Sequence, residues 1–413
     1  MNNSGQLNIL VLTSSIPHTT WGSGIRVFQL VRQLAPHHRV VVLTYGLSDQ
    51  ARDLAALREL GAEVRVVAPP AIDHHGRRLA QLASLASPTA YQHSQLQSAA
   101  MQRELDRTLQ SVAFDIIQVE SSQMGGFDFR GHSAVVLDEH NIEYEALYRS
   151  SRTERSVGRK LFNAVEFVKV RHAERAAWRR ADGCLLTSHR EETLVRRIAP
   201  ATPTAVIPNG VDVEYFRPGS AEPNPDSILF TGLLTYRPNL DAVRYFTREV
   251  LPLIISARPT AKLTVVGHAP RELLVTIAGP HVVATGWVSD VRPHLHAAAA
   301  VVVPVRMGSG TRLKVLDGLA AGKPVVSTSL GCEGIDVKDG EHVLIGNDPR
   351  SFADHVLRVL RDPALASELG RRGRRLVETK YSWSVVGEEL LAFYRCLASG
   401  ASQRTATPQG VPT

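Results

Sequence analysis

Cysteine is scarce in this 413-residue chain: Cys184, Cys332 and Cys396 are far apart and odd in number. That excludes a disulfide framework and a Cys-x-x-Cys metal site, and a reducing cytoplasm is the expected setting. No apolar run approaches the ~18 residues that cross a bilayer. The opening MNNSGQLNILVLT lacks the basic and apolar regions of a signal peptide and runs directly into a strand pattern. The Lys of AAGKP is followed by Pro324 rather than Ser or Thr, so there is no Walker loop, and no dinucleotide-type glycine triplet opens a strand–helix turn. Metal ligands are not clustered either. His74 and His75 lack a third ligand at fixed spacing and there is no Asp-x-Asp pair, so no metal or other cofactor is expected.

What is present is ordinary globular composition at a length that calls for two domains of roughly 200 residues. Charge is distributed unevenly. Lys and Arg exceed Asp and Glu by 47 to 40, and residues 149–180 alone hold ten Lys or Arg against Glu154, Glu166 and Glu174. One segment therefore carries the whole excess. Without interleaved aromatics, a nucleic-acid platform is not expected.

The most informative stretch is residues 301–328, VVVPVRMGSGTRLKVLDGLAAGKPVVST. Apolar β-branched runs at 301–303 and 325–326 read as strands buried on both faces. Between them stand Gly308, Ser309 and Gly310, then Leu313, Leu316, Leu319 and Ala320 at helical spacing. Strand, loop, helix, strand is a βαβ unit, hence a parallel sheet. The glycines permit close approach of a ligand, and Thr311 is expected to cap a helix with unpaired first amides. Arg306, Arg312 and Lys314 surround this anion site, and Asp317 shares a helical face with Lys314, where it can accept hydroxyl hydrogen bonds.

Strand patterns at 8–13, 40–44, 64–67, 116–120, 134–137, 183–187 and 205–207 alternate with helical ones; Gly22, Ser23 and Gly24 sit where the first helix opens. Residues 71–110, with His74, His75 and His93, read as helical and surface-facing. Asp138-Glu139-His140-Asn141 ends a strand, the place where ligands bind in open α/β sheets, although Asp138 or Asn141 could equally cap the next helix. Residues 153–180 read as one long helix with an apolar stripe at Val157, Leu161, Val165 and Val168. RPGSAEPNPDS, residues 217–227, reads as a linker between domains spanning 1–216 and 228–381. A helix over 382–398 and a disordered tail, 399–413, complete the chain.

With IPNGVD (207–212), FTGLLTYRPNLDAV (230–243), VVG (265–267) and GWVSD (286–290) added to the 301–328 stretch, nearly the whole chain resembles the family 4 retaining glycosyltransferases. It looks closest to an exopolysaccharide-type subgroup. The resemblance implies the GT-B arrangement, two facing Rossmann-like α/β domains with a cleft, a nucleotide-diphosphate sugar on the C-terminal half and a hydroxyl acceptor, sugar, lipid-linked sugar or small molecule, on the other. It puts Asp317 on the ribose, Lys314 on the diphosphate, and residues 308–310 at the donor sugar and phosphate. Trp287 and Val288 would line the base, His140 would lie near the donor sugar, and Gly22 and Gly24 would face the diphosphate.

Two positions depart from the family pattern. Ser309 and Asp317 stand where two glutamates usually do, and the basic pair after the second domain's first strand is replaced within GLLTYRPN, leaving Arg237 as a substitute. The implied reaction is metal-free transfer with retention, by front-face attack. A nucleotide-sugar epimerase or a non-catalytic partner subunit could use the same architecture. The basic segment 153–180 is expected either to be a solvated face or to touch an anionic membrane through Arg155, Arg159, Lys160 and Arg171.

Overall fold

The computed structural model describes residues 5–20, 22–47, 50–70, 80–81, 83–129, 134–154, 156–220 and 222–405. Two compact units result, Met1–Pro208 with Val386–Thr413, and Asn209–Val385. The first is built on β1 (Asn8–Thr13), β2 (Arg39–Tyr45), β3 (Glu63–Val67), β4 (Ile116–Glu120), β5 (Val135–Glu139), β6 (Gly183–Leu186) and β7 (Thr204–Val206). Their pairing is parallel throughout, in the order β3-β2-β1-β4-β5-β6-β7. The second unit holds β8 (Asn224–Thr231), β9 (Lys262–Val266), β10 (Val282–Gly286), β11 (Ala298–Val303), β12 (Val325–Ser327) and β13 (Leu344–Ile345), also parallel, ordered β10-β9-β8-β11-β12-β13.

Each order reverses beside the first strand of its unit, between β1 and β4 and between β8 and β11. At such reversals the loops after neighbouring strands diverge to opposite faces and leave room for a ligand at the strands' carboxyl ends. The central strands are apolar on both faces because helices cover both: Ile9, Leu10, Val11 and Leu12 are buried, as are Val301, Val302 and Val303.

The terminal helix, Trp383–Thr405, joins the first unit from Val386 onward. Val386, Leu390, Tyr394 and Ala398, four residues apart, form its buried stripe. An added Cβ on Gly183 would stand 3.0 Å from both Phe393 and Leu397.

Several expectations change. The units divide after Pro208, and residues 224–227, read as linker, already belong to β8. The helix does not end at 398 but runs to Thr405, while the tail beyond it lies outside the described residues, as do His74, His75 and Arg155. His93 is buried rather than surface-facing.

The helix expected after Asn141 is Glu143–Thr153, and the long helix expected over 153–180 starts at Val157 and runs unbroken to Arg180. Of its apolar stripe, Val157 is 83%, Leu161 67% and Val168 63% exposed. The buried face is built instead on Glu166, Val170, Glu174, Ala177 and Trp178. Glu174 accepts from the amides of Glu143 and Tyr144 at 2.8 and 2.9 Å, satisfying donors that the start of the preceding helix leaves unpaired. Glu166 accepts from the Tyr91 amide at 2.6 Å. A face organised by carboxylates is invisible to hydrophobic periodicity.

In the second unit the turns after β8 and β9 approach closely: a Cβ on Gly267 would lie 1.9 Å from the Gly232 carbonyl oxygen. Gly267→Ala is therefore expected to destabilise that unit by ~1–3 kcal/mol, at about 2–4 °C of melting temperature per kcal/mol for a domain of this size. Thermal denaturation checks it; an unchanged melting temperature would show that the two turns can separate freely.

Candidate functional site

The glycine loop after β11 owes its shape to backbone geometry. Gly308 and Gly310 have φ of 99° and 78°, a region that favours glycine. Buried Arg312 holds the loop from within, its Nη1 donating to the carbonyls of Ser309 and Gly310. Its guanidinium is thus committed to the loop and is not the open phosphate cation expected. Thr311 does not cap. Arg312 is the N-cap of the Leu313–Ala320 helix, without a side-chain bond, which leaves Thr311 one residue too early, and its buried Oγ1 has no partner among the described residues.

Arg306 is also engaged elsewhere. It lies 4.1 Å above the Tyr245 ring, 3.1 Å from Asp241 and 3.6 Å from Glu249, so its charge is largely offset. Arg237 opens the Arg237–Tyr245 helix and is exposed, and Val288 is half-buried beside exposed Trp287.

Lys314 is the cation that the loop presents. Its Nζ donates to Asn239 Oδ1 at 2.8 Å and lies 4.1 Å from the centre of the Phe230 ring. Asn239 is oriented by its own Nδ2, which donates to the Leu233 carbonyl at 2.8 Å. Gly232 leaves the space: a Cβ there would come within 2.5 Å of Nζ. Asn239, Phe230 and Gly232 were missed by sequence reasoning, although the Pro-Asn after β8 was a signal. These residues bring β8 and β11 together at the reversal of the sheet order.

Burial, reinforced by the neighbouring charge of Arg312 and only partly offset by Asp317, pushes Lys314 down to about 7. Burial pushes Asp317 up to about 7, with Lys314 partly offsetting it. An amine that takes up its charge when an anion arrives, beside a carboxyl one turn away, suits a diphosphate next to a sugar hydroxyl.

Gly22, Gly24 and His140 lie in the first unit. Gly22 has φ of 58° where the Gly22–Leu34 helix opens, and a Cβ on Gly24 would meet the His18 ring at 2.5 Å. The same helix sends buried Arg26 to Asp138, with Nε and Nη2 at 3.0 and 2.7 Å from its two oxygens; Nη1 donates to the Pro208 carbonyl at 3.2 Å. Asp138 is therefore half of a buried ion pair and not a helix cap. His140 Nε2 lies 2.6 Å from Glu120 Oε2 and 3.8 Å from Asp138 Oδ2. Burial disfavours the imidazolium, but the Glu120 hydrogen bond and the charges of Asp138 and Glu120 outweigh it, and the His140 pKa is raised.

Glu120, Asp138 and His140 offer ligand atoms within 4.8 Å of one another, as a metal site would. The donor set does not fit one. Asp138 holds a guanidinium, and the oxygens of Glu120 face Gln118 and His140, so a cation would have to displace buried Arg26. This is a closed hydrogen-bond network.

The ionisation of Lys314 and Asp317 sets a pH dependence of stability. Lysine in the unfolded chain holds its proton to ~10.4, whereas folded Lys314 releases it near 7, so its penalty is complete below 7 and fades as pH rises. An unfolded Asp releases its proton near ~3.9, folded Asp317 only near 7, so its penalty grows across that window and is complete above it. Both penalties coincide around neutrality. The double variant Lys314→Met, Asp317→Asn should be more stable than the parent by ~1 kcal/mol, with the largest difference near pH 7. Melting curves from pH 5 to 9 check this; a less stable variant would contradict the desolvation account.

A family model described as Glycosyltransferase Family 4 matches residues 51–215, and one described as Glycosyl transferases group 1 matches residues 225–362. An uncharacterised 44.6 kDa protein of the cps region of Klebsiella pneumoniae is 26% identical over 38% of this chain and 42% of its own length. A GDP-mannose-dependent monoacylated alpha-(1-6)-phosphatidylinositol monomannoside mannosyltransferase of Corynebacterium glutamicum is 27% identical over 45% of this chain and 54% of its own. The chain spans about half the length of the curated relatives it matches. Sucrose-phosphate synthase from Thermosynechococcus elongatus superposes with a TM-score of 0.69 at 19% identity, covering 96% of this chain and 100% of that one. Anabaena HepE in complex with UDP gives 0.67 at 13%, covering 94% and 99%. With one model on each parallel α/β unit, the chain belongs to the family 4 glycosyltransferases and has the GT-B fold.

Proposed function

We propose that this protein transfers a sugar from a nucleotide-diphosphate sugar to a hydroxyl acceptor with retention of configuration, in exopolysaccharide, cell-envelope or related glycoconjugate synthesis. The observation that carries this reading is Lys314, held by Asn239 beside the glycine loop with Asp317 one turn further along the helix. A relative named for GDP-mannose and a structural neighbour solved with UDP have a ribose and a diphosphate in common, which is the chemistry this group suits. As the nucleoside diphosphate departs, negative charge grows on its oxygens. The Lys314 ammonium and the loop amides stabilise that charge from fixed positions, and Asp317 accepts from ribose hydroxyls. His140 serves the donor sugar, as the family resemblance implies. On this reading no metal is needed and Ser309 replaces an acidic contact to the sugar. An epimerase would need no acceptor, and a non-catalytic subunit would turn over nothing.

Lys314→Ala and Asp317→Ala should each lower kcat by about a hundredfold to a thousandfold without unfolding the protein. The assay follows nucleoside diphosphate release with a panel of acceptors and EDTA present. Near-parental rates in either variant would remove the site assignment; loss with EDTA, restored by a divalent ion, would remove the metal-free route.

The exposed Val157, Leu161 and Val168 support a second element of this proposal, contact with an anionic bilayer. Lys160 and Arg171 flank that stripe at helical spacing, Arg159 is also exposed, and near an anionic surface each charge adds ~1 kcal/mol. Flotation should show binding to anionic but not neutral vesicles, weakened by salt and by exchange of Lys160 and Arg171 for Gln. Equal binding to both vesicle types would leave a merely solvated helix.

A further inference from the structure

The network around His140 extends beyond its carboxylates. Tyr394, fully buried on the terminal helix, donates its hydroxyl to Gln118 Oε1. Gln118 Nε2 donates to Glu120 Oε1 at 2.5 Å, and Glu120 Oε2 faces His140 Nε2 at 2.6 Å. This chain has one workable direction. Burial and Asp138 raise the Glu120 pKa against the opposing His140 hydrogen bond, and with Glu120 as the acceptor the Gln118 amide turns its nitrogen toward Glu120 and its oxygen toward the tyrosine. The same carboxylate requires a proton on His140 Nε2. Asp138 lies beyond hydrogen-bond reach, its Oδ2 3.8 Å from Nε2, and both its oxygens accept from Arg26. His140 keeps 20% exposure, and among the described residues no hydrogen bond is made to its Nδ1.

We propose that Tyr394, Gln118 and Glu120 are positioning residues for His140, committing its Nε2 proton to Glu120 and leaving Nδ1 as the nitrogen that meets a ligand. The terminal helix, hundreds of residues away in sequence, thereby sets the tautomer of a group on the β5 loop. The inference rests on the reading of His140 as a ligand-facing residue, but its NMR test does not. A buried tyrosine with a polar partner would otherwise be only a packing element.

The charged groups facing His140 are Glu120 from β4, Asp138 and Glu139 from β5, Arg26 from the first helix and Glu143 from the helix that follows. The test is nitrogen NMR of the full chain labelled at its histidine rings, with the His140 signals assigned by their loss in His140→Gln. In the parent, Nε2 should be the protonated nitrogen of the neutral ring. Glu120→Gln should lower the His140 titration midpoint by about one to three pH units, the range for loss of an adjacent opposite charge. Tyr394→Phe should lower it by a smaller amount at unchanged circular dichroism, and the acid limb of kcat/KM should move with it. A protonated Nδ1 in the parent, or midpoints unmoved in both variants, would overturn the proposal. Should the NMR behave as expected while the parent transfers no sugar, the positioning chain stands and the transferase reading falls.

Discussion

The ammonium group of Lys314 is held by an amide oxygen rather than a carboxylate, over an aromatic ring and beside the guanidinium of Arg312. Much of the second unit follows from that placement. Gly232 must lack a side chain for Nζ to fit, Gly267 must lack one for Gly232 to sit where it does, and Asn239 must be anchored on Leu233 to offer its oxygen. Arg312 holds the glycine loop open by occupying its carbonyls, and its charge makes the lysine less comfortable. On the proposed function, an anion with two or more charges would resolve this arrangement, which otherwise costs the fold stability.

The first unit handles charge in the opposite way. Arg26, Asp138, Glu120, Gln118 and Tyr394 satisfy one another almost completely, and the one member that reaches solvent is His140. A satisfied buried network is rigid, because each member has few alternative partners. In one unit a buried amine is left, among the described residues, without a carboxylate partner within hydrogen-bond reach; in the other, nearly every buried charge is matched by a neighbour.

The strands and glycine loop were legible because they are local. Apolar runs such as residues 8–13 and 301–303 have one reading in a two-domain α/β chain, and Gly308 and Gly310 take the positive φ that only glycine adopts readily. The placement of Lys314 and Asp317 one turn apart on one helix was legible through their spacing. Partners distant in sequence were not. Nothing near Lys314 points to Asn239, and nothing near Gln118 points to Tyr394. Nor does local sequence reveal that Arg306 turns to Asp241 and Glu249, that Arg312 folds back on its own loop, or that the Val157–Arg180 helix buries acids and exposes valines. Charged side chains choose among several partners by geometry that only the folded chain supplies, whereas an apolar side chain needs only an interior.

If Lys314 is largely uncharged above pH 7 and a diphosphate restores its charge, binding must take up a proton. Titration calorimetry of a nucleoside diphosphate at pH 8, in two buffers of different ionisation enthalpy, measures this directly. The account predicts uptake of close to one proton and its loss in Lys314→Met. Binding whose enthalpy is independent of the buffer, or uptake that persists in the variant, would contradict it.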